Sequence, residues 1–223
     1  MDVMSTMKRG SEERFFLASD EIRWEPSASG PGEVRHLYLD PDDHMDSRLV
    51  RFPAGGGTGG EPGLLGRHVF VIDGDFEADG EQLRPGDCHR AAGGSVNGRT
   101  QRGCILFSIY PAWPSAGYGE APDVGTLSDP LTVRRSDDAG RGGVLMVDAD
   151  ERYEVRLVRM DAGKRDTLPG PYGTEELFVL RGDCLCQGRR LGPGHYYRRR
   201  EADSPQALST DGGCEILCVL HRD

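Results

Sequence analysis

The sequence predicts an all-β protein made of two tandem copies of one antiparallel β-barrel or jelly roll. Three observations predict it. Of 223 residues, 32 are Gly and 14 are Pro, about a fifth of the chain where about an eighth is usual. These are the two poorest residues inside a helix and among the commonest in tight turns. Short apolar runs are punctuated by Gly-Asp and Pro-Gly pairs, and no helical period joins them, which disfavours strand–helix–strand crossovers. Finally, the chain repeats itself at a constant offset of 108 residues.

The repeat sets the elements. Phe70-Val-Ile-Asp-Gly-Asp75 matches Phe178-Val-Leu-Arg-Gly-Asp183, and Arg48-Leu-Val-Arg51 matches Arg156-Leu-Val-Arg159. Ala54-Gly55 matches Ala162-Gly163, Gly80 matches Gly188, and Leu83, Pro85, Gly86 and Arg90 match Leu191, Pro193, Gly194 and Arg198. Gly103-Cys104 matches Gly213-Cys214 at an offset of 110, so the second copy carries two extra residues before its last strand. Strands are expected at Ser47–Phe52, Val69–Ile72 and Ile105–Tyr110 in the first copy. Their counterparts are Tyr153–Met160, Leu177–Leu180 and Ile216–Leu220. Residues 1–19 are expected as a flexible N-terminal segment, 20–112 as the first barrel, 113–130 as a Gly/Pro-rich linker pinned by Trp113 and Tyr118, and 131–223 as the second barrel.

Composition narrows the function. The net charge of −10 repels a phosphate backbone, so general nucleic-acid binding is not expected. No apolar run reaches the ~18 residues of a membrane span, and Met1 to Arg14 has no apolar signal-peptide region. The six cysteines, at 88, 104, 184, 186, 214 and 218, form no C-x-x-C pair and read as reduced thiols in a cytoplasmic protein.

The strand–Gly-Asp–turn–Pro-Gly pattern, with Trp24-Glu-Pro26 ahead of it and Leu49-Val-Arg-Phe-Pro-Ala-Gly55 within it, resembles the cupin superfamily. More narrowly it is similar to the anti-sigma-factor-type (ChrR-like) cupins, over residues 20–110 and 130–223. The resemblance implies two tandem cupin domains. It also implies a metal site made of His-x-His, a Glu, and a later His, ligands suited to Fe, Mn, Ni, Zn or Cu. By spacing, those positions fall on Glu61, Gly63, Arg67 and Asn97 in the first copy. In the second they fall on Pro169, Pro171, Glu175 and Pro205 or Gln206. Only Glu175 keeps the family residue, so both metal sites are expected to be lost and no cofactor is expected. None of His36, His44, His68, His89, His195 and His221 rebuilds the motif. A divalent transition metal on a non-family ligand set is the alternative.

A barrel without metal is still a pocket lined by alternating side chains. Arg67 at the old ligand position, His89 and Glu175 are the candidate catalytic residues: an anion anchor, an acid or base, and a desolvated base. Glu61, Arg90, Asn97, Tyr197 and Arg198 are the candidate substrate-binding residues. Arg90 and Arg198 have a second reading as ion-pair partners of Asp73, Asp75 or Asp183. Arg51 and Arg159 read as lining the barrel, the run Arg198-Arg199-Arg200 as a solvated strand edge, and Gly55–Gly60 as a rim loop.

The leading expectation is a metal-independent isomerase, cyclase or lyase acting in the first barrel on an anionic or carbonyl-bearing metabolite. A metal-dependent dioxygenase with unusual ligands and a non-catalytic ligand sensor are the alternatives. The chain is expected as a monomeric pseudo-dimer or a homodimer, with no nucleic-acid or membrane partner.

Overall fold

The computed structural model describes residues 14–27, 30–40, 45–59, 65–91, 96–111, 131–136, 143–149, 153–168, 172–202 and 205–221. Its strands run in chain order. The first ten are β1 (Arg14–Ala18), β2 (Glu25–Pro26), β3 (Glu33–Asp40), β4 (Met45–Phe52), β5 (His68–Gly74), β6 (Phe76–Ala78), β7 (Glu81–Leu83), β8 (Cys88–Arg90), β9 (Gly98–Arg99) and β10 (Cys104–Pro111). The second ten are β11 (Leu131–Val133), β12 (Gly143–Ala149), β13 (Tyr153–Met160), β14 (Arg165–Leu168), β15 (Tyr172–Gly182), β16 (Cys184–Cys186), β17 (Arg189–Leu191), β18 (His195–Ala202), β19 (Gln206–Ser209) and β20 (Cys214–His221). One 3-10 turn, Ser19–Glu21, follows β1; no α-helix occurs among the described residues.

Among these residues the chain forms two compact units, one holding Ile22–Arg134 and the other residues 14–21 with 135–221. In the first, a seven-stranded sheet in the order β11-β8-β5-β10-β4-β3-β2 accompanies a three-stranded sheet β7-β6-β9. In the second, a six-stranded sheet β1-β18-β15-β20-β13-β12 accompanies a four-stranded sheet β14-β19-β16-β17. Neighbouring strands are antiparallel throughout.

The 108-residue offset carries β4 onto β13, β5 onto β15, β6 onto β16, β7 onto β17 and β8 onto β18. It also carries over an irregularity: the pairing with the last strand skips Ile72 in β5 and Leu180 in β15. The repeated glycines are conformational. Gly74 and Gly182 have φ of 82° and 69°, and a Cβ there would run into the main-chain oxygens of Gly103 and Gly213. Only glycine turns that corner with the two backbones so close.

Each core lies between the two sheets of its unit. In the first, Val50, Phe52, Val69, Val71 and Leu106 of the large sheet pack with Phe76, Ala78 and Leu83 of the small one. In the second, Val158, Leu177, Val179 and Ile216 meet Cys184, Cys186, Leu191 and Leu208. Each large aliphatic or aromatic side chain among them contributes roughly 1.5–3 kcal/mol by leaving water.

Two short strands depart from the expected layout. β1, placed by sequence in a flexible segment, pairs with β18, Phe16 opposite Tyr197. β11, placed by sequence at the start of the second barrel, pairs with β8, Thr132 opposite His89. Each large sheet is thus completed by a strand from the segment that precedes the other unit in sequence. The expected linker, 113–130, lies outside the described residues.

Candidate functional site

Core membership fixes which face of each large sheet looks inward. Val69 and Val71 belong to the first core, and Val69 stands opposite His89 in the β5–β8 ladder. Opposed residues in an antiparallel pair share a face, so His89 and its partner Thr132 lie on the inward side. His89 is 2% exposed. Its Nε2 lies 3.0 Å from Asp79 Oδ2 and its Nδ1 lies 2.8 Å from Thr132 Oγ1. An ionised carboxylate only accepts, so Nε2 carries a proton toward Asp79, and in the neutral ring Nδ1 is then the acceptor of the threonine hydroxyl.

Asp79 is held by the turn that presents it. Its φ is 47°, which Asp tolerates better than most residues, and Gln187 adopts 50° at the same point of the second copy. Asp79 N–H donates to Asn97 O at 2.9 Å, and Asn97 N–H donates back to Asp79 Oδ1 at 3.4 Å. The structure therefore brings two of the expected residues, His89 and Asn97, together around a third that the sequence did not single out. Asp79, Glu81, His89, Thr132 and Arg134 line a cavity of about 460 Å³, within the usual range for small-molecule sites.

The other expected residues lie elsewhere. Arg67 is buried just ahead of β5, where its main-chain carbonyl accepts Ala91 N–H at 2.9 Å. Arg90 stands opposite His68, on the face turned away from the core. Arg198 lies on the equivalent outward face, where its Nε is 3.8 Å from Glu176 Oε1, and His221 Nε2 lies 2.8 Å from the same oxygen. Two of the expected acidic partners are taken: Asp75 pairs with Arg102 and Asp183 with Arg190. Tyr197 faces inward and packs on Phe16 at 4.7 Å between centroids. Glu61 lies outside the described residues.

Two arginine readings are corrected. Arg51 and Arg159 do not line a barrel; they bond Glu33 and Glu215 on the outward face, and Arg51 also lies over the Trp24 ring. The run Arg198-Arg199-Arg200 is no solvated edge, because Arg198 and Arg199 are buried. Arg199 Nη2 donates to Glu175 Oε2 at 2.7 Å. Burial pushes the Glu175 carboxyl above its ordinary range, and Arg199 pulls it partly back. A further inward ion pair recurs in both copies: Asp46 with Arg48 at 3.6 Å, and Glu154 with Arg156. His36 Nδ1 adds a contact to Asp46 at 3.0 Å. The Arg48–Arg156 identity was visible in the repeat, but the acid two residues earlier changes between Asp and Glu.

Two of the thiols, Cys104 and Cys186, are not poised as nucleophiles. All six are buried, and burial pushes Cys104 and Cys186 up to about 12, so neither is a thiolate near neutrality.

No protein-family model and no curated protein matches the chain. Solved structures do. A Pseudomonas aeruginosa protein described as glyoxylate-induced superposes with a TM-score of 0.68 at 15% identity, over 95% of this chain and 90% of that one. Ylba from Escherichia coli gives 0.64 at 14% identity, over 100% and 99%. The fold is the cupin fold. The bacterial pirin YhhW from Escherichia coli, solved with nickel(II), gives 0.64 at 13% identity over 94% and 100%. The narrower likeness to anti-sigma-factor-type cupins rests on the sequence alone.

One of these neighbours was solved with nickel(II), and the donors on the described residues at the position the sequence maps do not suit such an ion. The described residues there are Arg67 and Asn97 in the first unit, and Glu175, Pro205 and Gln206 in the second, with Glu175 bonded to a guanidinium. Among the described residues no group of three or more His, Cys, Asp or Glu is arranged to hold an ion. No helix among them is long and apolar enough to cross a membrane.

Proposed function

We propose that the first unit is a small-molecule enzyme that carries out metal-independent acid–base chemistry on a carbonyl-bearing metabolite, with His89 as the proton-transfer group. The observation that carries this is the hydrogen-bonded series Asp79–His89–Thr132 at the wall of a cavity of about 460 Å³.

The chemistry follows from the hydrogen bonds. With its proton on Nε2, His89 presents the Nδ1 lone pair to the Thr132 hydroxyl, which lines the cavity. A proton taken from substrate carbon reaches Nδ1 through the threonine oxygen, and Asp79 stabilises the imidazolium that forms. Reversal of the relay delivers the proton to another atom, the step shared by isomerisation, cyclisation and elimination.

The test is solvent exchange. The purified protein is incubated in D₂O with a panel of small aldehydes, ketones and keto acids, and deuterium uptake next to the carbonyl is followed by NMR. His89→Gln is expected to slow uptake by about 10²–10⁴-fold, the usual contribution of a general acid–base group. Uptake unchanged in His89→Gln overturns the proposal.

A second reading, a ligand-binding module without catalysis, is favoured by the engagement of both ring nitrogens of His89. Saturable binding with no deuterium uptake from any bound carbonyl compound selects it.

A further inference from the structure

We infer that the His89 cavity selects a molecule bearing a small organic cation: an ammonium, amidinium or guanidinium group. This rests on the reading of that cavity as the functional site and names what it accepts. It departs from the anionic metabolite expected from the sequence.

The cation already in the wall is Arg134, and its charge is met from within the protein. Its Nη1 donates to Asp87 Oδ2 at 2.9 Å and to the main-chain oxygen of Gln82, and its Nη2 donates to Glu81 Oε2 at 3.2 Å. Asp87 is fully buried behind the wall, so Arg134 is neutralised before any ligand arrives. Glu81 and Asp79 both line the cavity, and their side chains are 59% and 35% exposed. Three carboxylates, Asp79, Glu81 and Asp87, stand at or behind the wall, more than the one guanidinium of Arg134 can offset. An anion would meet repulsion here, and an organic cation would meet two counter-ions.

The second unit supplies an independent observation. The repeat places Gln187 at the position of Asp79, Arg189 at that of Glu81 and Tyr197 at that of His89. The edge strands place Phe16 where Thr132 stands, each opposite the matching β18 or β8 residue. There the Arg189 guanidinium lies 4.8 Å above the Phe16 ring, and that ring packs on Tyr197. The second unit fills this place with its own guanidinium on its own aromatic rings, and both carboxylates are gone. The first unit carries its cation elsewhere in the wall, on Arg134, which Asp87 and Glu81 hold, and it keeps carboxylates at the two positions where the second unit has Gln187 and Arg189. The second unit also shows that a planar guanidinium fits the locus in size.

The test uses simple ions on the full-length protein with ¹³C-labelled histidine. The His89 ring signals are assigned by their loss in His89→Gln. Methylguanidinium and methylammonium chloride are titrated against acetate and phosphate at constant ionic strength. The expected result is a saturable shift of the His89 signals with the two cations and none with the anions. Glu81→Arg, which installs the charge the second unit carries, is expected to weaken methylguanidinium binding at least about tenfold, while Glu81→Asp retains it. Glu81 is exposed, so these variants keep the fold, as the unchanged spectra of the other histidines would report. No saturable shift with either cation, saturation by the anions, or undiminished binding in Glu81→Arg overturns the inference. Deuterium uptake by an anionic carbonyl compound that still depends on His89 would overturn the cation selectivity and leave the acid–base reading standing.

Discussion

Arg199 and Glu175 stand opposite each other in the β15–β18 ladder, with Arg199 Nη2 2.7 Å from Glu175 Oε2 and both side chains shut off from solvent. A buried pair of this kind is costly to break by halves, since the survivor keeps its desolvation penalty without its partner. Arg199→Met is therefore expected to lower stability by about 3–5 kcal/mol at neutral pH. The double variant Glu175→Gln/Arg199→Met is expected to recover most of that loss. The Glu175 carboxyl is raised above its unfolded value of 4.5, so the folded state holds this proton more readily than the unfolded chain. The stability it contributes is complete below the unfolded value and falls as pH rises through the folded one. The Arg199→Met deficit should accordingly shrink on acidification. Urea unfolding at pH 7 and in mild acid measures both effects, and a single variant as stable as the parent would refute the pairing.

Asp75 predicts the opposite slope. Its carboxylate accepts the main-chain N–H of Gln101 at 3.0 Å and of Arg102 at 3.1 Å, and the Arg102 side chain at 3.1 Å. The Gln101 N–H is the largest of the influences that hold it below 3.8. A depressed acid contributes stability that is present above the unfolded value and is lost as pH falls through the folded one. Asp75→Asn should cost about 1.5–3 kcal/mol at pH 7 and flatten the acid limb of the stability curve. An unchanged acid limb in Asp75→Asn contradicts this.

Thr132→Val removes the hydroxyl that satisfies His89 Nδ1. An unsatisfied buried acceptor costs about 1–3 kcal/mol, and among the described strands β11 is an edge strand that pairs with β8 only. Faster amide exchange confined to residues 131–133 and 88–90 is expected. Exchange unchanged there, measured by hydrogen–deuterium mass spectrometry, would show that the bond does not secure the edge.

Glycine replacements should separate conformation from crowding. Gly80 has φ of 88° and nothing within 4 Å of a built Cβ, so Gly80→Ala should cost only the left-handed penalty of about 1–2 kcal/mol. Gly74→Ala and Gly182→Ala meet main-chain oxygens as well and should lower the melting temperature considerably more. Equal shifts for Gly74→Ala and Gly80→Ala would remove the crowding argument.

The duplication was legible because its identities are local: glycines at positive φ and turn prolines recur wherever the same backbone recurs, as at Gly74 and Gly182. The edge strands were not legible. Nothing in Arg14–Ala18 announces a partner near the far end of the chain, and nothing in Leu131–Val133 points back across the linker to β8. With the second of these went Thr132 and Arg134, and hence much of the cavity. His89 was found, but Asp79 was hidden in an Asp-Gly pair that reads as turn punctuation. The Glu175–Arg199 pair could have been found: once Glu175 faces inward, two-residue alternation along β18 sends Tyr197 and Arg199 to one face. The run of three arginines drew the eye to solvent instead.

The exchange of edge strands has a consequence for how the protein is made. Residues 14–18 leave the ribosome well before the strand they pair with, β18, which ends at Ala202. The first large sheet lacks its outer strand until Val133 has been synthesised. During synthesis, a newly made β1 must wait for its place until β18 has followed it. A chain cut between the two genetic halves would leave the first half carrying a strand it cannot use and missing the one it needs.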